Sequence, residues 1–415
     1  MQDSICPFAV RAGGRRPAGC LAGTGSTAIS YTDWSGQGIT PRWNRRRRGG
    51  EYTAGVDVTH LAWRDEQHLF YTGLRGLQTV FGEVEAGSGQ AHELWATGES
   101  SGTIIPRAAP LRDGGFAVAL QSYSRYPEIV VVRDGAPSSV ASLAHAGSEY
   151  MLRVGGVLEE VSWTAPDGLR IEGLLARPST PGPYPLILDV HGGPVWSFRN
   201  CWSLYQDLTR LLVSRGYAVL HPNPRGSIGR GQAFAEMVYG DMGGADTDDF
   251  LSGLDALIDR GIADPTRIGT MGVSYGGFMS SWLITRTDRF AAAVSMSPCN
   301  EWRSMHYTTY FPDFDRLFLQ DEPLNVGGQY DTRSPLLYAQ RVRTPTLHTT
   351  GGLDEATPAS QAVMFHHALL EIGVASVLVI YPEEGHNVHR FPAIIDRAAR
   401  VVAWFERFMP ASGHA

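Results

Sequence analysis

The sequence predicts an α/β fold, in which a mostly parallel sheet is covered by helices on both faces, preceded by a short all-β region. From about residue 157 onward, short apolar runs alternate with helix-length segments, as in βαβ units. Upstream of about residue 150, short apolar runs alternate with polar turns at roughly ten-residue spacing, which is typical of an antiparallel meander. Of the 415 residues, 43% are hydrophobic and 19% are charged, as in globular proteins.

Residues 1–150 are predicted to form a β-propeller-like domain, although residues 1–50, rich in Gly, Arg and Ser, receive no assignment. The strands fall into two sets, 61–63, 69–71, 80–84, 93–95 and 115–121, 128–133, 139–143. A propeller blade takes about 40–45 residues, so at most three blades fit, too few to close a ring. We therefore expect an apparently truncated propeller whose open edges are covered in a homo-oligomer.

Residues 151–415 are predicted to form the second domain. A hairpin at 161–163 and 169–175, turning at Asp167-Gly168, comes first. The predicted strands that follow are 186–190, 218–221, 267–271, 291–295, 346–350 and 376–381, and the helices are 204–214, 246–259, 277–285, 360–372 and 394–408. Ligands of such sheets bind beyond the carboxyl ends of the strands, so functional residues are expected in the loops there.

Charge and residue usage exclude several classes of function. No lysine occurs, so all 35 basic residues are arginine, which excludes P-loop, protein-kinase and Schiff-base chemistry. The net charge of −7 gives no reason to expect a nucleic-acid partner, and the run 45–48 of four arginines is interpreted as a solvated loop.

The four cysteines, Cys6, Cys20, Cys201 and Cys299, show neither paired nor metal-binding spacing. We interpret them as free thiols in a reducing cytoplasm and predict no metal site.

No stretch approaches the roughly 18 apolar residues of a membrane span, and no apolar segment flanks Cys20 as in a signal sequence. A cytoplasmic protein without a membrane partner is therefore predicted.

Gly272-Val273-Ser274-Tyr275-Gly276 lies between a predicted strand and a predicted helix, the context of a nucleophile elbow in an α/β-hydrolase fold. The serine of such an elbow occupies a strained turn, and small residues two positions before and after it let strand and helix pass closely. Its hydroxyl is thereby exposed at a helix N-terminus.

A serine hydroxyl needs a base to take its proton and a carboxylate to orient that base, in the chain order Ser, acid, His. Asp354 and His386 each follow a predicted strand and meet this demand. The weaker alternatives are His348, His366, His367 and His389 for the base and Asp331 and Glu355 for the acid. Asp248 and Asp249 are interpreted as capping residues that compensate a helix dipole.

An oxyanion needs two donors. The backbone N–H of Tyr275, at a helix start, is predicted to be one of them. The other is expected from the glycine loop His191-Gly192-Gly193-Pro194, which follows the strand 186–190.

Together these motifs resemble the prolyl oligopeptidase family of serine peptidases, especially its acylaminoacyl-peptidase and dipeptidyl-peptidase-like branch. The matching segments are 191–194, 223–227, 240–244, 272–277, Asp354 with Pro358 and Gln361, and 384–386. The resemblance implies an α/β-hydrolase domain under an N-terminal propeller and a triad of Ser274, Asp354 and His386. It also implies oxyanion donation by the amides of Gly193 and Tyr275, and no cofactor or metal.

The chain departs from the family pattern at two positions. His191 stands where prolyl oligopeptidases proper have a tyrosine, so the second oxyanion donor is expected to be a backbone amide. Ala356 stands where many relatives have an arginine that holds a substrate carbonyl, and the candidate replacements are Arg225 and an arginine of the N-terminal domain. The resemblance places an acyl-side pocket at an aromatic cluster after the strand 291–295, with Trp302, Met305 and Tyr307 as candidate lining residues. The alternative is that this cluster belongs to the apolar core.

The function predicted from the sequence is hydrolysis of short peptides by an acylaminoacyl-peptidase or oligopeptidase mechanism through an acyl-enzyme. A carboxylesterase that uses the same triad is the first alternative. A non-catalytic binding protein built on a decayed hydrolase is the second.

Overall fold

The computed structural model describes residues 55–102, 105–145, 147–204 and 208–411, and the backbone of three short strands upstream of them. Those strands, β1 (Leu21–Ala22), β2 (Ser30–Thr32) and β3 (Gly38–Ile39), form an antiparallel sheet. The chain divides into two compact units, Met1–Tyr52 and Thr53–Ala415. The predictions made for Cys6, Cys20 and the arginine run lie outside the described residues.

Two four-stranded antiparallel meanders come first in the second unit. One has the order β4-β5-β6-β7, and the other has the order β11-β10-β9-β8. Phe81 and Phe116 stack at 4.7 Å between ring centroids in the apolar cluster that the two sheets share. The predicted propeller-like all-β region is thereby confirmed. The strands are β4 (Asp57–Trp63), β5 (His68–Arg75), β6 (Gln78–Glu85), β7 (Ala91–Thr97), β8 (Ala108–Pro110), β9 (Phe116–Ser122), β10 (Arg125–Arg133) and β11 (Ala136–Ser142).

An eight-stranded sheet of order β12-β13-β15-β14-β16-β17-β18-β19 follows. β12 and β13 form an antiparallel hairpin, and β13 is also antiparallel to β15. The six strands β15, β14, β16, β17, β18 and β19 are parallel to one another. The predicted α/β-hydrolase fold class is therefore confirmed. The strands are β12 (Val157–Thr164), β13 (Arg170–Arg177), β14 (Tyr184–Val190), β15 (Ala218–Asn223), β16 (Ala263–Val273), β17 (Phe290–Met296), β18 (Thr346–Gly351) and β19 (Ser376–Tyr381).

Helices cover both faces of this sheet, and each face has its own apolar core. Strand residues alternate between the two cores: Leu186 and Leu188 of β14 belong to one, and Ile187 between them belongs to the other. α4, α5 and α9 supply the first core, and α2 and α10 supply the second. The helices are α1 (Ser148–Val154), α2 (Leu208–Ser214), α3 (Gln232–Ala235), α4 (Ala245–Asp259), α5 (Tyr275–Arg286), α6 (Trp302–Thr308), α7 (Asp313–Leu319), α8 (Gln329–Thr332), α9 (Ser360–Glu371) and α10 (Ala393–Phe408), with 3₁₀ turns at Glu236–Val238 and Pro335–Arg341.

Three short helices, α6 to α8, occupy the segment between β17 and β18 that the sequence pattern left irregular. They are four to seven residues long, which is too short for a helical period to be visible in the sequence. Within the described ranges, no helix is long and apolar enough to cross a lipid bilayer. The predicted domain boundary between residues 150 and 151 stays a prediction.

Arg210 on α2 joins the second meander to the α/β sheet. Its guanidinium donates to the Tyr123 carbonyl oxygen, and to the Met151 and Trp202 carbonyl oxygens at 3.1 and 3.3 Å. It also lies 3.9 Å from the ring centroid of Tyr123 and 4.2 Å from that of Trp202. Because the side chain is buried, these contacts connect the β9–β10 turn, α1 and α2.

Candidate active site

Ser274 occupies a strained turn between β16 and α5. Its backbone has φ 63° and ψ −120°, and its N–H donates to the Met296 carbonyl oxygen at 3.0 Å. A Cβ on Gly272 would lie 2.5 Å from the Val190 carbonyl oxygen, and one on Gly276 would lie 2.8 Å from the carbonyl carbon of the same residue. The two glycines thus let β16 and α5 pass against β14, the steric reason for the G-x-S-x-G pattern.

Asp354 and His386 come together from the loops that follow β18 and β19. The Asp354 Oδ2 atom lies 2.9 Å from His386 Nδ1, and Oδ1 lies 3.1 Å from it. The two loops are also tied by the backbone, since the Leu353 N–H donates to the Glu384 carbonyl oxygen at 2.9 Å. The carboxylate is fully enclosed, whereas 28% of the imidazole is exposed, so part of the ring is accessible to solvent.

Thr357 completes this arrangement, and sequence reasoning missed it. The N–H groups of Ala356 and Thr357 donate to Asp354 Oδ1 at 2.9 and 2.8 Å. The Thr357 hydroxyl donates to the Ser297 carbonyl oxygen at 2.8 Å and lies 3.0 Å from Asp354 Oδ2 and 3.2 Å from His386 Nδ1. The only sequence signal is a threonine three residues after an aspartate, the spacing of a side-chain-capped turn.

The competing candidates lie in other environments. His348 is fully buried within β18, and His366 on α9 is hydrogen-bonded to the Ser376 hydroxyl at 2.8 Å. The side chain of His389 is 70% exposed. Asp331 forms an ion pair with Arg303 at 2.7 Å, and Glu355 is exposed. Among the contacts described, only His386 joins a buried carboxylate to the cavity that Ser274 lines.

The glycine loop after β14 lies beside Ser274. Gly193 has φ 124°, a backbone conformation that residues with a side chain rarely adopt. It lines the same cavity as Ser274 and His386. The His191 imidazole turns away into the protein, with Nδ1 2.6 Å from the Gly192 carbonyl oxygen and Nε2 3.1 Å from the Ser227 hydroxyl. Burial lowers the pKa of His191 to about 4, so its ring is neutral near pH 7.

The Tyr275 side chain fixes the start of α5 from the opposite side. Its hydroxyl donates to Asp246 Oδ2 at 2.6 Å, and the Gly243 N–H donates to the same oxygen at 3.0 Å. The Thr247 N–H donates to Asp246 Oδ1 at 2.9 Å. Burial raises the pKa of Asp246 to about 6, although these hydrogen bonds favour the ionised form.

Asp246→Asn tests this buried carboxyl by the pH dependence of stability. Because its folded pKa is raised above the ordinary value of 3.8, the favourable contribution of Asp246 is complete below about pH 4 and is lost as the pH rises through about 6. We expect the free energy of unfolding of the wild type, relative to that of Asp246→Asn, to fall by about 3 kcal/mol over this window. Urea denaturation of both proteins from pH 4 to 7.5 measures the difference. A pH-independent difference would contradict the assignment.

An apolar cavity of about 320 Å³ opens beside Ser274. Trp302 and Met305, two of the predicted pocket residues, line it from α6. Tyr307 does not line this cavity, since it lies on the outer side of α6 and is 59% exposed. The full lining is Gly192, Gly193, Val195, Trp196, Ser274, Tyr275, Phe278, Cys299, Trp302, Met305, Phe311, Phe314, Ala356, Thr357 and His386.

Arg225 is not in position to replace the arginine that is missing at Ala356. Its guanidinium is paired with Asp249 at 2.7 and 2.9 Å and with Asp167 at 2.8 Å, and the residue is only 6% exposed. The interpretation of Asp249 as a capping residue was wrong, because its buried carboxylate on α4 is the partner of Arg225. This pairing holds Arg225 away from the cavity, whose lining includes Ala356.

Within the described ranges, no group of three or more His, Cys, Asp or Glu side chains is arranged to hold a metal ion. The groups at the site are a hydroxyl on a strained elbow, an imidazole bound to a buried carboxylate, and glycine-loop and helix-start amides. Such an arrangement is suited to nucleophilic acyl transfer.

Sequence comparison finds curated peptidases among the relatives. The uncharacterized peptidase YuxL of Bacillus subtilis is 36% identical over 262 residues, which is 60% of this chain and 39% of that protein. The acylamino-acid-releasing enzyme of Arabidopsis thaliana is 32% identical over 233 residues, or 54% of this chain and 30% of the relative. The chain thus spans about a third of the length of the curated relatives it matches.

Structure comparison finds the same fold in solved proteins. The acylaminoacyl peptidase of Pyrococcus horikoshii matches with a TM-score of 0.74 at 24% identity, over 87% of this chain and 57% of the other. A puromycin hydrolase matches with a TM-score of 0.72 at 21% identity, over 94% of this chain and 59% of the other. The model of the prolyl oligopeptidase family matches residues 202–411, which is half of the chain and includes Ser274, Asp354 and His386. This chain belongs to the prolyl oligopeptidase family.

Proposed function

We propose that the chain is a serine peptidase that hydrolyses short peptides, of the acylaminoacyl-peptidase type. The observation that supports this most directly is the shared cavity. Ser274 on its strained elbow and His386, oriented by buried Asp354, line the same apolar cavity. The family membership and the acylamino-acid-releasing relatives agree with it.

The proposed mechanism assigns one role to each group. Ser274 Oγ attacks the carbonyl carbon of the scissile amide while His386 Nε2 takes its proton. Asp354 holds the Nδ1–H of the imidazole and stabilises the imidazolium that forms. The amides of Gly193 and Tyr275 donate to the oxyanion, the second of them at the positive end of the α5 dipole.

Collapse of the tetrahedral intermediate breaks the C–N bond, and His386 gives its proton to the leaving amine. Water then attacks the acyl-enzyme with His386 as the base, which releases the acid and restores the Ser274 hydroxyl. No step in this sequence requires a cofactor.

The cavity supports an apolar acyl-side residue. Its lining is formed mainly by aromatic and aliphatic side chains, and His386 is the one titratable imidazole among them. An acylaminoacyl peptidase of this fold has been solved in complex with Z-Gly-Gly-Phe-chloromethyl ketone, a peptide that has an aromatic side chain. We therefore propose short peptides with a large apolar residue on the acyl side of the scissile bond.

Ala356 favours a second candidate, a carboxylesterase with the same triad. Among the described residues, the cavity lining includes no arginine, and position 356, where many relatives have an arginine that holds a substrate carbonyl, is alanine. An ester also has a better leaving group than an amide and depends less on such anchoring. The hydrogen-bonded Asp354–His386 pair disfavours a non-catalytic binding protein.

A substrate panel separates these candidates. The panel contains acetyl-Ala, acetyl-Leu and acetyl-Phe p-nitroanilides, the same compounds with free N-termini, and the matching p-nitrophenyl esters. A peptidase of this type should cleave the acetyl-Phe anilide with a kcat/KM at least about tenfold above that of the acetyl-Ala anilide, because the larger side chain buries more apolar surface. Hydrolysis of the esters alone would favour the esterase, and the absence of any turnover by folded protein would contradict both.

The predicted homo-oligomer and cytoplasmic location remain proposals. All seven residues of β11 at the edge of the second meander are exposed, which supports a partner at that edge. Cys299 is a buried free thiol, which agrees with a reducing compartment.

A further inference from the structure

α6 and α7 form one wall of the cavity and are joined behind it by a buried pair of side chains. The His306 Nδ1 atom on α6 lies 2.9 Å from Asp315 Oδ2 on α7. The side chains of these residues are 8% and 1% exposed. Neither residue lines the cavity, and neither belongs to a motif that the sequence analysis identified.

Each member of the pair directly follows a cavity residue in the chain. Met305 precedes His306 and Phe314 precedes Asp315, and both Met305 and Phe314 line the cavity. Since each short helix turns one side chain into the cavity and the next toward the other helix, the hydrogen bond sets the separation of the two helices. The width of the cavity between Met305 and Phe314 therefore depends on that separation.

Aromatic side chains pack around the pair. Tyr330 of α8 is fully buried, with its ring perpendicular to the His306 ring at 6.0 Å between centroids. Burial and the charge of Asp315 raise the pKa of the Tyr330 hydroxyl, which therefore stays neutral. On the cavity side, Phe314 packs on Phe311 at 5.4 Å.

The link between α6 and α7 is attached to the loop that carries Asp354. The Thr309 hydroxyl donates to the Ala356 carbonyl oxygen at 2.9 Å, and the Tyr310 N–H donates to the Glu355 carbonyl oxygen at 3.0 Å. Two hydrogen bonds thus fix the link to the Asp354 loop, and the His306–Asp315 pair joins the two helices.

We propose that His306 and Asp315 are positioning residues that set the width of the cavity and thereby the preference for the acyl-side side chain. The proposal rests on the proposed peptidase function for its kinetic consequence. The structural consequence, a cavity that discriminates by size, holds without catalysis.

The test uses His306→Leu, Asp315→Leu and the double variant, each of which removes the hydrogen bond. Asp315→Asn keeps an oxygen acceptor for the Nδ1–H and serves as the conservative variant. His366→Leu is the matched control, since it removes a histidine hydrogen bond to Ser376 on α9, outside the cavity lining. Thermal unfolding of every variant separates folded from unfolded protein.

We expect the ratio of kcat/KM for acetyl-Phe over acetyl-Ala p-nitroanilide to fall about tenfold in each leucine variant, mainly through KM for the Phe substrate. The double variant should show no further loss, because the pair acts as a unit. Asp315→Asn and His366→Leu should keep the ratio within about twofold of the wild type.

Calorimetric binding of 3-phenylpropanamide against propanamide provides a measurement that needs no turnover. The wild type should prefer the phenyl compound, and the leucine variants should lose most of that preference. An unchanged kinetic ratio or binding preference in folded His306→Leu and Asp315→Leu would overturn the proposal. If the wild type prefers the phenyl compound but hydrolyses neither amides nor esters, only the proposed function is contradicted. The binding measurements on the variants would still decide the role of the His306–Asp315 pair.

Discussion

Replacing Ser274 with alanine is expected to lower kcat for acetyl-Phe p-nitroanilide by at least about 10⁴-fold, with little change in substrate binding. The reason is that the hydroxyl is the nucleophile of the proposed mechanism, and neither His386 nor the oxyanion amides can replace it. Alanine fits the same turn, since it keeps the Cβ and the backbone of Ser274 and removes only Oγ. The fold and the cavity should therefore persist.

Labelling with a fluorophosphonate probe tests whether Ser274 is the nucleophile and requires no known substrate. The wild type should be labelled at one serine, and Ser274→Ala should not be labelled. Ser252→Ala, on α4, is the matched control and should behave like the wild type. Equal labelling of the wild type and Ser274→Ala would show that another residue is the nucleophile, and the triad assignment would then be wrong.

Replacing Gly276 with alanine is expected to cause the second large effect, a loss of about 3 kcal/mol or more in the free energy of unfolding. The added Cβ would lie 2.8 Å from the Val190 carbonyl carbon and 3.0 Å from the His191 carbonyl oxygen. Both neighbours are backbone atoms, which cannot rotate aside as a side chain would. Relief requires that α5 move away from β14, which would displace the Tyr275 amide and the glycine loop together.

Chemical denaturation and fluorophosphonate labelling measure the two consequences. Gly98→Ala is the matched control, because a Cβ on Gly98 would meet nothing within 4 Å and its φ is ordinary. We expect the control to match the wild type in stability and labelling. If Gly276→Ala is as stable as the wild type and is labelled equally well, the steric explanation of the elbow is wrong.

Much of the fold could be predicted because its signals are local. The strand β14, fully buried over seven residues, follows from an apolar run that only Asp189 interrupts. The alternation of β16, α5 and β17 follows from the change of period along the chain. The helices α6 to α8 could not be predicted in this way, since contacts with other elements rather than a helical period stabilise them. His306, for example, depends on Asp315, which lies on a different helix.

Part of the candidate site was also visible in the sequence. Ser274 lies in a motif with a steric reason, and Asp354 and His386 follow strands in the order that this fold requires. Thr357 and the role of Asp246 were not visible, because hydroxyl and carboxyl side chains are common and only distances identify their partners. Arg225 is a pocket candidate from the sequence only because position 356 lacks the arginine of many relatives. Its pairing with Asp249 is a contact between distant segments, which the sequence does not reveal.

The sequence by itself determined the fold class, the elbow and the order of the triad candidates, because these depend on periodicity, glycine positions and chain order. The tertiary structure alone decided which side chains surround the cavity, which arginine is already paired and which hydrogen bonds hold the Asp354 loop. The physical reason is that a hydrogen bond or an apolar contact depends on distance in space. Loops from β14, β16, β18 and β19, far apart along the chain, meet at one edge of the sheet only after folding.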